Sequence, residues 1–139
     1  METGSVMAVD VAKVLVVDDE PDFRGTVRRG LEREGYAVTE AAGAAEALRR
    51  LQAEPYDLVI VDLYMPEVSG LDLLASIRDA GHEDLPVILI TALGDWRSYA
   101  RALGLGAKAF LSKPVPMADL SRHVARVLAD PRVHDQRIA

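Results

Sequence analysis

Five short apolar runs, at 14–17, 36–39, 58–61, 87–90 and 109–111, recur along the chain, and each is followed by a longer stretch with helical spacing. Runs of this length without polar alternation suit strands buried on both faces of a parallel sheet. Their shortness and β-branched content favour strand over buried helix. Between them the period changes. Phe23, Val27 and Leu31 recur at i, i+4 and i+8, with Arg24, Arg28, Arg29 and Arg33 on other faces, read as a solvated side. Ala44, Leu48 and Leu51 mark a second helix, and Leu71, Leu74 and Ile77 a third. A fourth is expected to start near Asp95 as N-cap and to end at Gly104 or Gly106. The last carries Leu120, Val124, Val127 and Leu128 and stops before Pro131. Gly35 and Gly81 sit where helix C-caps place glycine. Strands and helices in strict alternation predict right-handed crossovers and a three-layer α/β/α sandwich around a five-stranded parallel sheet.

A chain of 139 residues is one domain's worth. Residues 1–12 carry no period and read as a flexible leader, 13–130 as the domain, and 131–139 as a polar tail or truncated linker. The net charge of -6 argues against broad affinity for nucleic acid or anionic membrane. The absence of Cys removes disulfides, thiolate zinc sites and Cys nucleophiles. The apolar stretch 85–90 is far too short to span a bilayer, and an early Glu2 without a basic n-region is no secretory signal. A cytoplasmic location is expected.

Ligands of open α/β sheets bind at the carboxyl ends of the strands. Strand one ends in Asp18 and Asp19, strand three in Asp62, strand four in Thr91, and strand five in Lys113 after Phe110. Each alone has a plainer explanation. An acidic residue after a strand is more often a helix cap or turn former, Thr91 a cap and Lys113 a solvated charge. Their joint placement at four strand ends favours a site. Three carboxylates and one ammonium leave an excess of negative charge in a partly desolvated cleft, and a hard, oxygen-bound divalent cation, Mg²⁺ foremost, would balance it. Zinc is disfavoured, since none of His82, His123 and His134 lies at a strand end. A carboxylate beside a divalent cation, a Lys and a hydroxyl suits phosphoryl chemistry, with Asp62 on a central strand as the candidate nucleophile.

Four motifs carry a resemblance: VLVVDDEP at 14–21, DLVIVDLYMP at 57–66 with SGL at 69–71, PVILITA at 86–92, and GAKAFLSKP at 106–114. In this order and spacing the chain, over roughly 12–130, resembles the receiver domain of two-component response regulators of the chemotaxis-regulator kind. The resemblance implies a flavodoxin-like, doubly wound (βα)5 fold and residue-level roles. Asp62 would accept a phosphoryl group from a phosphohistidine on a sensor histidine kinase or histidine phosphotransfer protein. Asp19, Asp62 and the backbone carbonyl of Tyr64 would bind Mg²⁺, or Mn²⁺ in its place, with Asp18 acting through water. Lys113 would pair with phosphoryl oxygens, Ala92 would admit them, the Thr91 hydroxyl would move to bond one, and Phe110 would swing inward after it. The Lys113–Pro114 peptide would be cis. The outcome would be a changed surface on helix four, strand five and helix five, acting on an output domain or partner protein. Such a domain catalyses only its own phosphorylation and dephosphorylation. It would bind neither nucleic acid nor membrane, and would be a monomer or a phosphorylation-dependent dimer. Tyr64 and Leu93 border the path of the hydrolytic water in this family, which implies a comparatively long-lived phosphorylated state.

Other classes fit less well. A phosphatase of the haloacid-dehalogenase type needs a second Asp two residues after the nucleophile, where this chain has Tyr64. A flavodoxin-like cofactor binder needs a phosphate-cradling loop where this chain has Asp18, Asp19, Glu20 and Pro21. Gly104 and Gly106 follow a helix and enter a strand, the reverse of a dinucleotide loop. A receiver-like interaction scaffold working without phosphorylation is the remaining alternative. The resemblance also offers a second role for helix one, docking the kinase with Arg24 or Arg28 toward the partner, and Trp96, after strand four, is a natural optical probe.

Overall fold

A computed structural model describes residues 11–92 and 97–130. Five strands and five helices alternate: β1 (Lys13–Val17), α1 (Pro21–Arg33), β2 (Ala37–Ala41), α2 (Ala44–Ala53), β3 (Leu58–Asp62), α3 (Gly70–Asp79), β4 (Val87–Thr91), α4 (Arg97–Gly104), β5 (Ala109–Ser112) and α5 (Met117–Leu128). All neighbouring strands are parallel, in the order β2-β1-β3-β4-β5. The expected three-layer α/β/α sandwich is therefore observed.

Strand parity explains why the apolar runs lack polar alternation. Val14, Val16, Leu58, Ile60, Ile88 and Ile90 pack with Val27 and Leu31 of α1 and with Leu120, Val124 and Val127 of α5. Leu15, Val17, Val59, Val61, Val87 and Leu89 pack on the opposite face with α2, α3 and Ala102 of α4. Both faces of β1, β3 and β4 are covered, so the stretches 14–17, 58–61 and 87–90 must be apolar throughout, and only the terminal Lys13, Asp62 and Thr91 are polar.

Beyond single-residue extensions of β1, β3, β4 and β5, two features differ from the sequence reading. Tyr36 is not the first residue of β2. Its N–H donates to the Leu31 carbonyl at 3.2 Å while that of Gly35, at φ +99°, donates to Glu32, which closes α1. The strand begins at Ala37 and runs on to Ala41, beyond the expected Thr39, because the ladder with β1 continues to the Val17–Ala41 pair. Being an edge strand, β2 needs no continuous apolar run. The second correction concerns the α1 arginines. Arg29 and Arg33 are solvated, but Arg24 is half-buried, its Nε donating to Glu40 Oε1 at 2.7 Å. Arg28 Nε lies 3.2 Å from Glu40 Oε2. Burial of Glu40 beside β1 demands a cationic partner, and α1 supplies two.

The helices end as capping rules require at Gly35 and Gly81, both at positive φ. Of the two expected ends of α4, Gly104 is the observed one. Asp95, Leu93 and Trp96 lie outside the described residues, as do the tail at 131–139, His134 and all but the last two positions of the leader. His82 and His123 are half-buried and belong to no metal-ligand group among the described residues. Arg78 ties the far end of the fold together. Its guanidinium donates to the carbonyls of His82, Leu85, Leu105 and Gly106 at 2.7–3.3 Å, joining α3 to the turn before β5.

Candidate functional site

The strand order places a switch point between β1 and β3. The chain leaves β1 for β2 on one side and returns to β3 on the other, which opens a crevice at the carboxyl ends. Register then brings the polar residues together. Val17 pairs with Val61, so Asp18 and Asp62 follow side by side. Asp62 pairs with Ile90 and Thr91 with Ser112, so Thr91 and Lys113 complete the rim.

Backbone bonds hold this rim rigidly. The Asp18 N–H donates to Ala41 O at 3.1 Å, and its carbonyl accepts from Arg24 Nη1 at 2.7 Å. Asp18 Oδ1 accepts from the Glu20 N–H at 2.8 Å, turning the chain into α1. Asp62 Oδ1 accepts from the Tyr64 N–H at 3.3 Å, and the Leu63 N–H reaches Ile90 O at 2.7 Å. The Lys113 N–H donates to Thr91 O at 2.7 Å, and the Lys113–Pro114 bond is cis, as expected. Gly70, the first residue of α3 after a Ser69 N-cap, is pressed against the Asp62–Leu63 backbone. A Cβ there would lie 2.5 Å from Asp62 O and 2.8 Å from Leu63 Cα. Only glycine lets α3 begin this close to the site.

Asp18, Asp19 and Asp62 each offer an oxygen within 4.8 Å of the others. Asp18 and Asp62 are 1% and 6% exposed, whereas Asp19 faces solvent. Lys113 Nζ lies 3.3 Å from Asp18 Oδ2, 3.5 Å from Asp62 Oδ2 and 3.2 Å from Glu20 Oε1. Desolvation raises the pKa of Asp18, against the Glu20 N–H and Lys113. Desolvation, then the Asp18 charge, raises that of Asp62. For Lys113, desolvation pulls the pKa down, but the charges of Asp18 and Asp62 outweigh it and the net direction is up. One ammonium thus serves several carboxylates and leaves two of them in unfavourable surroundings. The donor set is all oxygen, closely spaced and short of positive charge, which fits a hard divalent cation.

Thr91 is fully buried, and its Oγ1 has no hydrogen-bond partner among the described residues. A buried hydroxyl without a partner is costly unless a function uses it. Ala92, next in the chain, is small and exposed. Phe110 is half-buried on β5, opposite Leu89, and meets the Tyr99 ring of α4 edge-on at 5.4 Å. The Tyr64 side chain is 54% exposed.

The sequence reading thus anticipated the grouping of Asp18, Asp19, Asp62 and Lys113 and missed three neighbours. Glu20 and Phe23 both touch the Lys113 ammonium, the latter with its ring centroid 4.3 Å from Nζ. Arg24 anchors the Asp18 carbonyl. Phe23 and Arg24 had been absorbed into the amphipathic pattern of α1. Their position in its first turn, directly after the acidic pair, was the available signal.

Comparison with known proteins agrees with this geometry. A profile of the family described as "Response regulator receiver domain" matches residues 14–125. The response regulator protein PilR of Pseudomonas aeruginosa is 40% identical over 116 residues, covering 84% of this chain and 26% of that protein. An uncharacterized 14.6 kDa protein of Leptolyngbya boryana is 41% identical over 112 residues, covering 80% of this chain and 86% of that one. Among solved structures, response regulator protein TrrA from Thermotoga maritima, in complex with Mg²⁺-BeF, superposes with a TM-score of 0.75. It is 34% identical, with 84% of this chain and 99% of that chain covered. The chain spans about half the length, or less, of several relatives it matches. No helix among the described residues is long and apolar enough to cross a membrane.

Proposed function

This chain belongs to the response regulator receiver family, and from that premise we propose that Asp62 accepts a phosphoryl group from a phosphohistidine of a sensor histidine kinase or histidine phosphotransfer protein. The observation that carries this reading is the cluster at the β1–β3 switch point: three carboxylates within 4.8 Å, a lysine ammonium on two of them, and a buried hydroxyl at the end of the next strand that has no partner among the described residues.

Each residue then has a task. Asp19, Asp62 and the Tyr64 carbonyl would hold Mg²⁺, with Asp18 acting through water and Mn²⁺ able to stand in. The bound ion supplies charge neutralisation for the phosphoryl oxygens. An Asp62 carboxylate oxygen attacks phosphorus as the P–N bond to the donor imidazole breaks, and the imidazole nitrogen keeps the electron pair and takes up a proton. Lys113 donates to a phosphoryl oxygen, Ala92 leaves room for it, and the Thr91 hydroxyl gains the acceptor it otherwise lacks. That differential contact biases a two-state element. As Thr91 turns toward the phosphoryl group, Phe110 moves into the vacated space, and the α4-β5-α5 surface changes toward an output domain or partner protein. The domain itself touches neither nucleic acid nor membrane and works from the cytoplasm, as a monomer or as a dimer formed on phosphorylation. Tyr64 and the apolar Leu93 stand at the two positions that, by the family resemblance, border the path of the hydrolytic water, and their bulk there makes the phosphorylated state long-lived.

Intact mass after incubation with acetyl phosphate tests the reading. A single phosphoryl adduct that requires Mg²⁺ and is lost in Asp62→Asn is expected. No adduct, together with no binding of beryllium fluoride, overturns it and leaves an interaction scaffold that works without phosphorylation.

A further inference from the structure

Lys113 is held from outside the carboxylate cluster by two residues at the start of α1. Its Nζ sits 3.2 Å from Glu20 Oε1 and 3.3 and 3.5 Å from Asp18 and Asp62, all longer than the roughly 2.7–2.9 Å of a strong charge-assisted bond. The ammonium is suspended among three anions and bound tightly by none. The Phe23 ring supports its remaining side at 4.3 Å. Glu20 is the N-cap residue of α1, yet its side chain makes no capping bond. Its backbone N–H is fixed by Asp18, and its carboxylate, 65% exposed, meets Lys113.

Resting on the phosphoryl-acceptor reading above, we infer that Glu20 and Phe23 are positioning residues for Lys113 with opposite effects on the phosphorylated state. A divalent cation held by Asp19 and Asp62, with Asp18 acting through water, would cancel most of the carboxylates' pull on Lys113. Glu20 is not part of that cluster and keeps its charge. It then becomes the principal competitor of the phosphoryl group for the ammonium. Phosphorylation must draw Lys113 away from Glu20, so Glu20 weakens the phosphorylated state. Phe23 fixes the stem at a distance from which Nζ can serve either anion, and thereby favours it. The exposure of Glu20 keeps the competition mild, because solvent screens an ion pair of this kind.

The affinity for beryllium fluoride in saturating Mg²⁺, measured by titration calorimetry, reads this balance, with the initial rate of phosphorylation by acetyl phosphate as second readout. Glu20→Gln is expected to bind roughly two- to fivefold more tightly, the range set by an exposed ion pair. Phe23→Leu is expected to bind roughly two- to fivefold more weakly, from the loss of a partly exposed cation–π contact, and Phe23→Tyr, which keeps the ring, to behave as wild type. Asp22→Asn is the control. It removes a charge from the same turn, lining the same cleft as Lys113, and is expected to change affinity by much less than Glu20→Gln. Equal tightening in Asp22→Asn and Glu20→Gln means a general field effect and overturns the proposal. So does unchanged or weaker binding in Glu20→Gln. Failure of Phe23→Tyr to restore what Phe23→Leu loses reduces Phe23 to a packing residue and overturns its part. If wild-type protein binds no beryllium fluoride and gains no phosphoryl group, the acceptor reading itself falls.

Discussion

Replacing Asp62 by Asn should stabilise the metal-free protein and destabilise it relative to wild type once Mg²⁺ is present. Asp62 is 6% exposed and shares its pocket with Asp18, whose oxygens lie within 4.8 Å. Two like charges no farther apart than that repel by about 3.5 kcal/mol or more at an effective dielectric constant of about 20, whereas Lys113 at 3.5 Å attracts by about 4.7 kcal/mol. These opposing contributions nearly cancel, so burial decides the sign and the carboxyl pKa is raised. A raised pKa in the folded state means that the native protein binds the proton more tightly than the unfolded chain. At neutral pH the ionised group therefore costs stability, and the cost shrinks as pH falls through the raised value toward the ordinary 3.8. Asn keeps an oxygen for the Tyr64 N–H and carries no charge. The expected gain in EDTA is on the order of 1 kcal/mol, or about 3–5 °C in Tm for a chain of this size. In Mg²⁺ at a hundredfold excess over its Kd, wild type gains about 2.7 kcal/mol that the variant largely forgoes, and the order reverses. Urea melts followed by far-UV circular dichroism, in EDTA and in Mg²⁺, measure both. An Asn variant less stable than wild type in EDTA would refute the reasoning, because the Lys113–Asp62 pair would then outweigh burial. Absence of the reversal would show that the carboxylates do not hold the cation.

By the same linkage, Mg²⁺ affinity should depend on pH. Because Asp18 and Asp62 must be ionised to serve and both have raised pKa values, the apparent Kd should weaken as pH falls from neutrality, at higher pH than for ordinary carboxylates. Calorimetric titrations across that range check it, and a flat profile down to pH 4 would refute it. Gly70→Ala should cost about 1–3 kcal/mol and slow phosphorylation by acetyl phosphate, since its Cβ would collide with the Asp62 carbonyl. Equal stability and rate would show that α3 shifts freely. Arg78→Met should cost about 2–4 kcal/mol, because four carbonyls lose a half-buried cationic donor. Hydrogen exchange should rise in the turn before β5 while amides of β1 and β3 stay protected.

What was legible in the sequence were those features that depend on local chain order. The runs at 58–61 and 87–90 read as strands because both sheet faces are covered there and every residue had to be apolar. The helix ends at Gly35 and Gly81 were visible because a left-handed residue selects glycine wherever it occurs. The acidic site was legible for a related reason. A strand end is a definite place in an α/β fold, so Asp18, Asp62, Thr91 and Lys113 could be assigned to one rim before any distance was known.

Contacts between distant segments needed the tertiary structure. Strand order alone puts β1 beside β3, and only register sets Asp18 level with Asp62. The start of β2 depended on Tyr36 donating back to α1, and its end on pairing with β1. Arg24 looked like a solvent residue until Glu40, sixteen positions away, was brought beneath it. Glu20 and Phe23 met Lys113 only when the start of α1 and the end of β5 converged across ninety residues or more. Periodicity records which face of an element is buried, because burial acts on every residue of that face. It carries no record of which partner lies opposite, because that is fixed by the packing of whole elements and not by the residues of one.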